Sequence, residues 1–344
     1  MTGLPDLRVA CIGAGYFSQF HYDAWARISG CVLVGACDPD AAAREAHAPG
    51  VAGFRDAEAM LAEIQPDIVD IITPPPTHRA LLGLALKARP RAIICQKPFC
   101  TGLAEARALA EQAETAGVPV VVHENFRFQP WYRKLREMIL AGALGDVMQI
   151  TFRLRPGDGQ GPRAYLDRQP YFQKMPRFLI HETGVHWVDT FRYLLGSPQT
   201  VWADLRQLNP AISGEDAGLV VFGYDDGRRA LFDGNRLADH VAENRRRTMG
   251  ECLVEGTAAT AMLDGAGRIF VRPFGANDWQ AVDFDAPETG FGGDCVHALQ
   301  SHVVAALRSG ESDGLENTAR DYLAVIEMEE AIYRSAESGR RVVL

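Results

Sequence analysis

A chain of 344 residues is too long for one ordinary hydrophobic core and suits two domains. Its 47% hydrophobic and 23% charged content, with a mean hydropathy of −0.09, fits a folded soluble protein. A net charge of −9 argues against a nucleic-acid partner, which asks for a basic face, and no apolar run reaches the length of about eighteen residues that a membrane span needs.

The stretch from Met1 to Arg8 has neither the charged start nor the apolar core of a secretory leader. Seven cysteines occur without C-x-x-C spacing, so neither a disulfide framework nor a structural metal is expected, and the cytoplasm is the natural setting. The basic cluster Arg245-Arg246-Arg247 sits beside acidic residues and reads as a solvated turn.

Short apolar runs at 8–12, 32–36, 68–72, 92–95 and 118–122 read as strands. Helical patterns at 17–28, 41–48, 57–64, 78–88 and 103–116 separate them. Near-continuous apolar strands alternating with helices indicate a doubly wound parallel sheet covered on both faces.

After about residue 122 the rhythm changes. A helix at 129–141 is followed by strand-like segments at 148–155, 200–208, 218–224, 229–232, 251–255, 260–263 and 268–271. Several are joined by Asp/Gly turns such as Asp225-Asp226-Gly227, so a large, mainly antiparallel sheet is expected. Helices around 179–195, 295–307 and 318–335 are expected to cover one of its faces, and the other is open to solvent or to a second subunit. The resulting fold class is an α/β doubly wound domain over 1–125 followed by an α+β domain over 126–344. The last segment of the chain can pack back on the first domain.

The turn Gly13-Ala14-Gly15-Tyr16-Phe17-Ser18 follows the first strand and opens the first helix. Gly13 permits a tight turn and Gly15 lets a pyrophosphate approach the helix N-terminus, while Ser18 stands where a third glycine would serve helix–strand packing. Asp38 closes the second strand, where a carboxylate accepts hydrogen bonds from both ribose hydroxyls and repels a 2′-phosphate, so NAD is the expected cofactor. The loop Thr73-Pro74-Pro75 ends the 68–72 strand and offers a stiff wall, with His78 either a ligand contact or simply the first residue of the next helix.

Gln96-Lys97-Pro98 ends the 92–95 strand. A lysine there faces the crevice outside the carboxyl ends of the strands, where ligands bind. The second chemical constellation is His181-Glu182-Thr183-Gly184-Val185-His186, followed by Asp189. On a helix Glu182 and His186 share a face, so the carboxylate can fix the imidazole tautomer and leave the other ring nitrogen to take a proton. Gly184 can leave room for a ligand. His181, Glu182 and His186 are all ligand types for zinc but lack the H-E-x-x-H spacing, so no metal is expected.

Together these segments resemble the Gfo/Idh/MocA oxidoreductases, the family of glucose–fructose oxidoreductase and the inositol dehydrogenases. The resemblance covers nearly the whole chain, including the Glu337-Ser338-Gly339 segment near its end. It implies a Rossmann domain followed by an α+β domain, and hydride transfer to NAD from a hydroxyl carbon of a sugar, cyclitol or related polyol. It implies His186 as general base steadied by Glu182, and Lys97 as donor to the reacting oxygen. The cofactor contacts it implies are Gly13, Gly15, Tyr16, Phe17, Ser18, Asp38, Thr73, Pro74, Pro75, His78, Gln96 and Lys97. Substrate hydroxyls would meet His123, Asn125, Arg127, Tyr165 and His181, whereas Phe126 and Phe128 read as core.

Lys97 and His186 then form the two halves of one site, drawn from the two domains. A homodimer or homotetramer is the expected assembly. Two residues depart from the family: Gln96 replaces the usual glutamate and Glu182 the usual aspartate. Segments 92–99, 122–127 and 209–216 look most like the D-apiose dehydrogenase branch, which carries an acidic pair where this chain has His181-Glu182. Two competing readings are an NAD-dependent glycoside hydrolase or epimerase with transient oxidation, and a non-enzymatic dinucleotide sensor, which would have no need of Lys97 and His186.

Overall fold

The computed structural model describes residues 5–344. Met1 to Leu4, half of the stretch read above for a leader, lie outside the described residues. In chain order the first elements are β1 (Leu7–Ile12), α1 (Ser18–Arg27), β2 (Cys31–Cys37), α2 (Ala41–His47), β3 (Gly53–Phe54) and α3 (Ala57–Ile64). They continue with β4 (Ile68–Ile71), α4 (His78–Ala88), β5 (Ala92–Gln96), α5 (Leu103–Ala116) and β6 (Val120–His123).

The later elements are α6 (Pro130–Leu140), β7 (Val147–Leu154), α7 (Val185–Leu195), β8 (Thr200–Arg206), β9 (Ala217–Gly223) and β10 (Arg229–Asn235). Then come β11 (Gly250–Gly256), β12 (Ala259–Leu263), β13 (Ile269–Pro273), β14 (Gln280–Val282), α8 (Cys295–Ser309), α9 (Ala319–Ser338) and β15 (Val342–Val343). Two compact units divide the chain. The first runs to Asn125 and takes in Val296–Ala324; the second comprises Phe126–Cys295 and Val325–Leu344.

The first unit is a six-stranded parallel sheet in the order β3-β2-β1-β4-β5-β6. Every residue of β4 and β5 is buried, as strands covered on both faces require. The order reverses between β1 and β4, and that switch point puts Gly13, Thr73 and Lys97 just past the carboxyl ends of adjacent strands. Helix starts are set locally: the Asp40 carboxylate accepts the Ala42 and Ala43 N–H groups ahead of α2, and Asp56 caps α3 through the Ala59 N–H.

The expectation that both late helices cover the second sheet is corrected. Nearly all of α8 packs with the first unit, where its Gln300 reaches the buried Asp70 carboxylate at 3.2 Å. A buried polar side chain on α8 finds a charged acceptor there, which a pattern of apolar positions could not disclose.

The second unit is built on a nine-stranded sheet in the order β14-β13-β12-β11-β7-β10-β9-β8-β15, antiparallel except for the β7–β10 pair. Register puts Val220, Phe232, Phe152, Cys252, Leu263 and Ile269 in one row across the buried face. Trp187 of α7 lies on that row, its ring 4.2 Å from Phe152. The opposite face carries a second row, Trp202, Val221, Leu231, Thr151, Leu253 and Met262, none of which is buried. The short strands β3, β14 and β15 escaped the sequence reading because two or three residues carry no periodicity.

Candidate active site

In the first unit, the turn after β1 is shaped for a nucleotide. Gly13 has φ +111°, and a Cβ there would stand 2.8 Å from the Ile72 carbonyl oxygen, so the turn itself demands glycine. Gly15 is different: a Cβ there would meet nothing within 4 Å. Its bareness serves no packing within the chain and suits close approach by a ligand. The Asp38 carboxylate accepts the Ala14 N–H at 2.8 Å and the Asp40 N–H at 2.9 Å, which ties β2 to the glycine turn. Lone pairs remain on both oxygens for ribose hydroxyls.

Arg44, which the sequence reading overlooked, donates to the Asp38 carbonyl oxygen. Tyr16 is exposed and Phe17 half-buried beside the turn. Ser18 is buried, and its hydroxyl is spent on the Gly15 carbonyl at 2.5 Å. It closes the turn.

Thr73, Pro74 and Pro75 line the loop after β4, with the Thr77 hydroxyl bonded to that of Thr73 at 2.7 Å. His78 is fully buried, and its ring spans two loops: Nε2 lies 2.7 Å from the Thr73 carbonyl oxygen and Nδ1 3.0 Å from that of Phe99. Burial pushes the imidazole below its usual range, against the opposite pull of the two carbonyls. His78 therefore sits between the Thr73 loop and the loop that carries Lys97, its neutral ring donating to one of the two carbonyls.

Gln96 is also redirected. Its Oε1 accepts the Lys97 N–H at 2.8 Å and its Nε2 faces His21 Nε2 at 3.0 Å, so both ends of the amide are used inside the protein. Lys97 itself is half-buried, and the Lys97–Pro98 peptide is cis. His123 is fully buried with its ring 4.1 Å from that of His21, which places it beneath the strand ends. Asn125 is 2% exposed, and its Nδ2 has no hydrogen-bond partner among the described residues.

In the second unit, residues Leu179–Gly184 form a π-turn that passes into α7 at Val185. The Val185 N–H reaches back to the Ile180 carbonyl, a wider turn than the α-helix assumed from spacing. Gly184 fits that turn. A Cβ there would sit 3.1 Å from Ile180 Cδ1, so the missing side chain accommodates the chain's own turn, contrary to the expected ligand space.

His186 is 5% exposed and stacks face to face on Phe126, ring centroids 3.8 Å apart and planes 3° from parallel. Phe126 and Phe128 are buried, as expected of core residues. Arg127, expected to bind a hydroxyl, instead makes a buried bidentate pair with Asp189, at 2.8 Å and 2.5 Å. A planar fork matched to a carboxylate is a strong clamp, and here it fixes the Phe126 segment against α7.

The Glu182 carboxylate accepts the Thr183 hydroxyl and pairs with Arg236 at 3.5 Å. Arg236 is 1% exposed and also bonds the Asp158 carboxylate at 3.1 Å and the Tyr165 hydroxyl at 2.7 Å. Tyr165, expected at the substrate, thus donates its own proton to Asp158 at 2.9 Å within a closed cluster. Burial pushes the Tyr165 phenol up. Burial also favours the neutral form of Asp158, but the Arg236 guanidinium outweighs it and holds that carboxyl below its usual range.

His181 Nδ1 lies 2.6 Å from Glu329 Oε1, and this half-buried ring is the one expected substrate group of this unit whose partner is a carboxylate on α9. Arg236, Asp158 and Glu329 carried no local signal. Asp70 did: a lone charge inside the apolar 68–72 strand.

Two family descriptions match. Residues 7–124 match the oxidoreductase family with NAD-binding Rossmann fold, and residues 132–261 match the GFO/IDH/MocA C-terminal domain. The chain belongs to the GFO/IDH/MocA oxidoreductase family. As a member it is an NAD-dependent oxidoreductase. A D-apiose dehydrogenase of Paraburkholderia graminis is 34% identical to this family member over 358 residues, covering 100% of this chain and 91% of that one. A D-apiose dehydrogenase of Rhizobium rhizogenes is 30% identical over 349 residues, covering 98% of each chain. An oxidoreductase from Agrobacterium radiobacter, solved in complex with NAD+, L-tartaric acid and magnesium, superposes with a TM-score of 0.87 at 28% identity, over 98% of each chain. No helix of the described residues is long and apolar enough to cross a membrane.

Proposed function

We propose that the protein oxidises a hydroxyl-bearing carbon of a sugar, cyclitol or related polyol. The observation that carries this reading is Lys97 at the carboxyl end of β5, in an NAD-binding unit, in a chain that also holds a ring-stacked His186. Gly13, Gly15, Tyr16, Phe17, Asp38 and the Thr73-Pro74-Pro75 loop would hold the nucleotide. When bound, NAD supplies the acceptor for the hydride that leaves the carbinol carbon.

The Lys97 ammonium donates to the reacting oxygen and stabilises the charge that develops there. His186 takes the hydroxyl proton. Stacking on Phe126 fixes the imidazole plane, so its ring nitrogens accept only from within that plane. Glu182, held by Thr183 and Arg236, sets its carboxylate in the turn that leads into His186. Asn125 and His181 meet further hydroxyls: Asn125 through its buried amide donor, His181 through a ring oriented by Glu329. Support for the substrate class comes from the relatives named D-apiose dehydrogenase.

We also propose that the protein works as a homodimer or homotetramer joined through the open face of the second unit's sheet, where the described residues leave the mainly apolar row from Trp202 to Met262 partly exposed. All seven cysteines are free thiols, which suits a reducing cytoplasm.

The test is NAD reduction screened across pentoses, hexoses, inositols and sugar acids. Stoichiometric NADH from at least one is the expected result. Cleavage or epimerisation of a sugar with no net NADH would instead support transient oxidation, and no turnover of any kind would support a sensor.

A further inference from the structure

We propose that His21, with Asp70 behind it, is a positioning residue for Lys97 and acts through the Gln96 amide. The inference rests on the role given to Lys97 above, but its geometry lies wholly within the first unit. His21 comes from α1, the helix opened by the glycine turn; Asp70 from β4; Gln96 from the end of β5. His21 and Asp70 are both fully buried and Gln96 is 8% exposed.

The hydrogen-bond directions are fixed from both ends. Asp70 Oδ2 accepts from the Trp25 Nε1–H at 2.8 Å and from Gln300 at 3.2 Å, and lies 2.8 Å from His21 Nδ1. The Trp25 indole N–H can only donate, so Oδ2 is the acceptor at this corner and His21 turns a protonated Nδ1 to it. At the other end the Lys97 N–H only donates, so it must face Gln96 Oε1, as it does at 2.8 Å. That turns the Gln96 NH2 towards His21 Nε2, at 3.0 Å. Together the two ends set one amide orientation and one ring arrangement, Nδ1 protonated and Nε2 accepting.

Such a chain is costly to bury. Asp70 Oδ1 has no partner among the described residues, so the cluster is not even fully satisfied. Apolar side chains of similar volume would fill the space with less desolvation. What polar groups add is direction: they hold the peptide that begins at Lys97 in register with the helix that follows the glycine turn. The chain also accounts for glutamine at position 96. A glutamate would offer His21 Nε2 an acceptor, and only a second ring proton, making an imidazolium between two carboxylates, would satisfy it.

The experiment uses the full-length protein without added substrate. Ring-nitrogen NMR of 15N-histidine-labelled protein is expected to show His21 protonated at Nδ1 and bare at Nε2, and protonated at both in Gln96→Glu at the same pH. In Gln96→Met and His21→Phe the Lys97 amide is expected to exchange with solvent about tenfold faster, with Ile93 and Ile94 unchanged. On a substrate found by the screen, the same variants should lower kcat while leaving the KM for NAD near its wild-type value. A proton on His21 Nε2 in the wild type, or unchanged Lys97 exchange in Gln96→Met, overturns the proposal. Gln96→Met decides the matter if His21→Phe does not fold. If no substrate turns over, the dehydrogenase reading fails, and the NMR and exchange results still decide this one.

Discussion

The rings of Phe126 and His186 lie 3.8 Å apart and 3° from parallel, with the Arg127–Asp189 pair clamping their two segments together. Stacking sets the plane of the imidazole without occupying a ring nitrogen. Phe126→Leu is therefore expected to cost only about 1–1.5 kcal/mol of stability, as a hydrophobic swap in a core. It should lower kcat by about tenfold, because a mobile base spends less time aligned. Urea unfolding together with steady-state kinetics checks both halves; an unchanged kcat would make Phe126 mere core.

Coenzyme choice should depend on Asp38. Removing its carboxylate in Asp38→Ala takes away the acceptor for the ribose hydroxyls and the repulsion of a 2′-phosphate, and Arg44 stands beside it. The ratio of kcat/KM for NAD to that for NADP is expected to fall by about a hundredfold, the lost 2′-hydroxyl hydrogen bond and the relieved repulsion acting in the same direction. Kinetics with both coenzymes gives the ratio directly.

Acid stability should depend on Asp158 and Arg236. The Asp158 carboxyl is depressed in the folded state because the guanidinium overrides burial. A depressed carboxylate stabilises the fold above its unfolded value of about 3.9, and that contribution is lost as pH falls through the folded value. Arg236→Met leaves Asp158 with only the more distant Arg168, at 3.4 Å, so the acid-unfolding midpoint should move to higher pH. Stability at neutral pH should drop by about 2–3 kcal/mol, below the usual cost of a broken buried pair because the Asp158 side chain is 25% exposed. Urea titrations at several pH values would show an unmoved midpoint if the pair is dispensable.

The first unit was legible almost element by element, because its strands are short, nearly continuous apolar runs separated by helical patterns. Gly13, Gly15, Asp38, Lys97 and His186 stood out for the same reason: each breaks or closes a regular pattern. What escaped was everything that depends on a partner distant in sequence. Arg127 and Tyr165 looked like free polar groups until Asp189 and the Arg236 cluster claimed them. The π-turn at Leu179–Gly184 was invisible because three- and four-residue spacings presuppose an α-helix.

The open sheet face should hold the assembly together. Leu253→Arg sets a charge in the middle of the apolar row, on a side chain 37% exposed in the single chain, so folding should survive. Light scattering after size exclusion is expected to give a multiple of 37.7 kDa for the wild type and a smaller species for the variant. The same mass for both would remove this face from the assembly.

The most direct measurement is the turnover of Lys97→Ala and His186→Ala on a polyol confirmed by the NAD-reduction screen. Each change removes a group asked to act on the reacting oxygen or its proton, so kcat should fall by at least about a hundredfold. NAD affinity, measured by fluorescence titration, should remain within about threefold in His186→Ala. Turnover near the wild-type value in either variant would contradict the account.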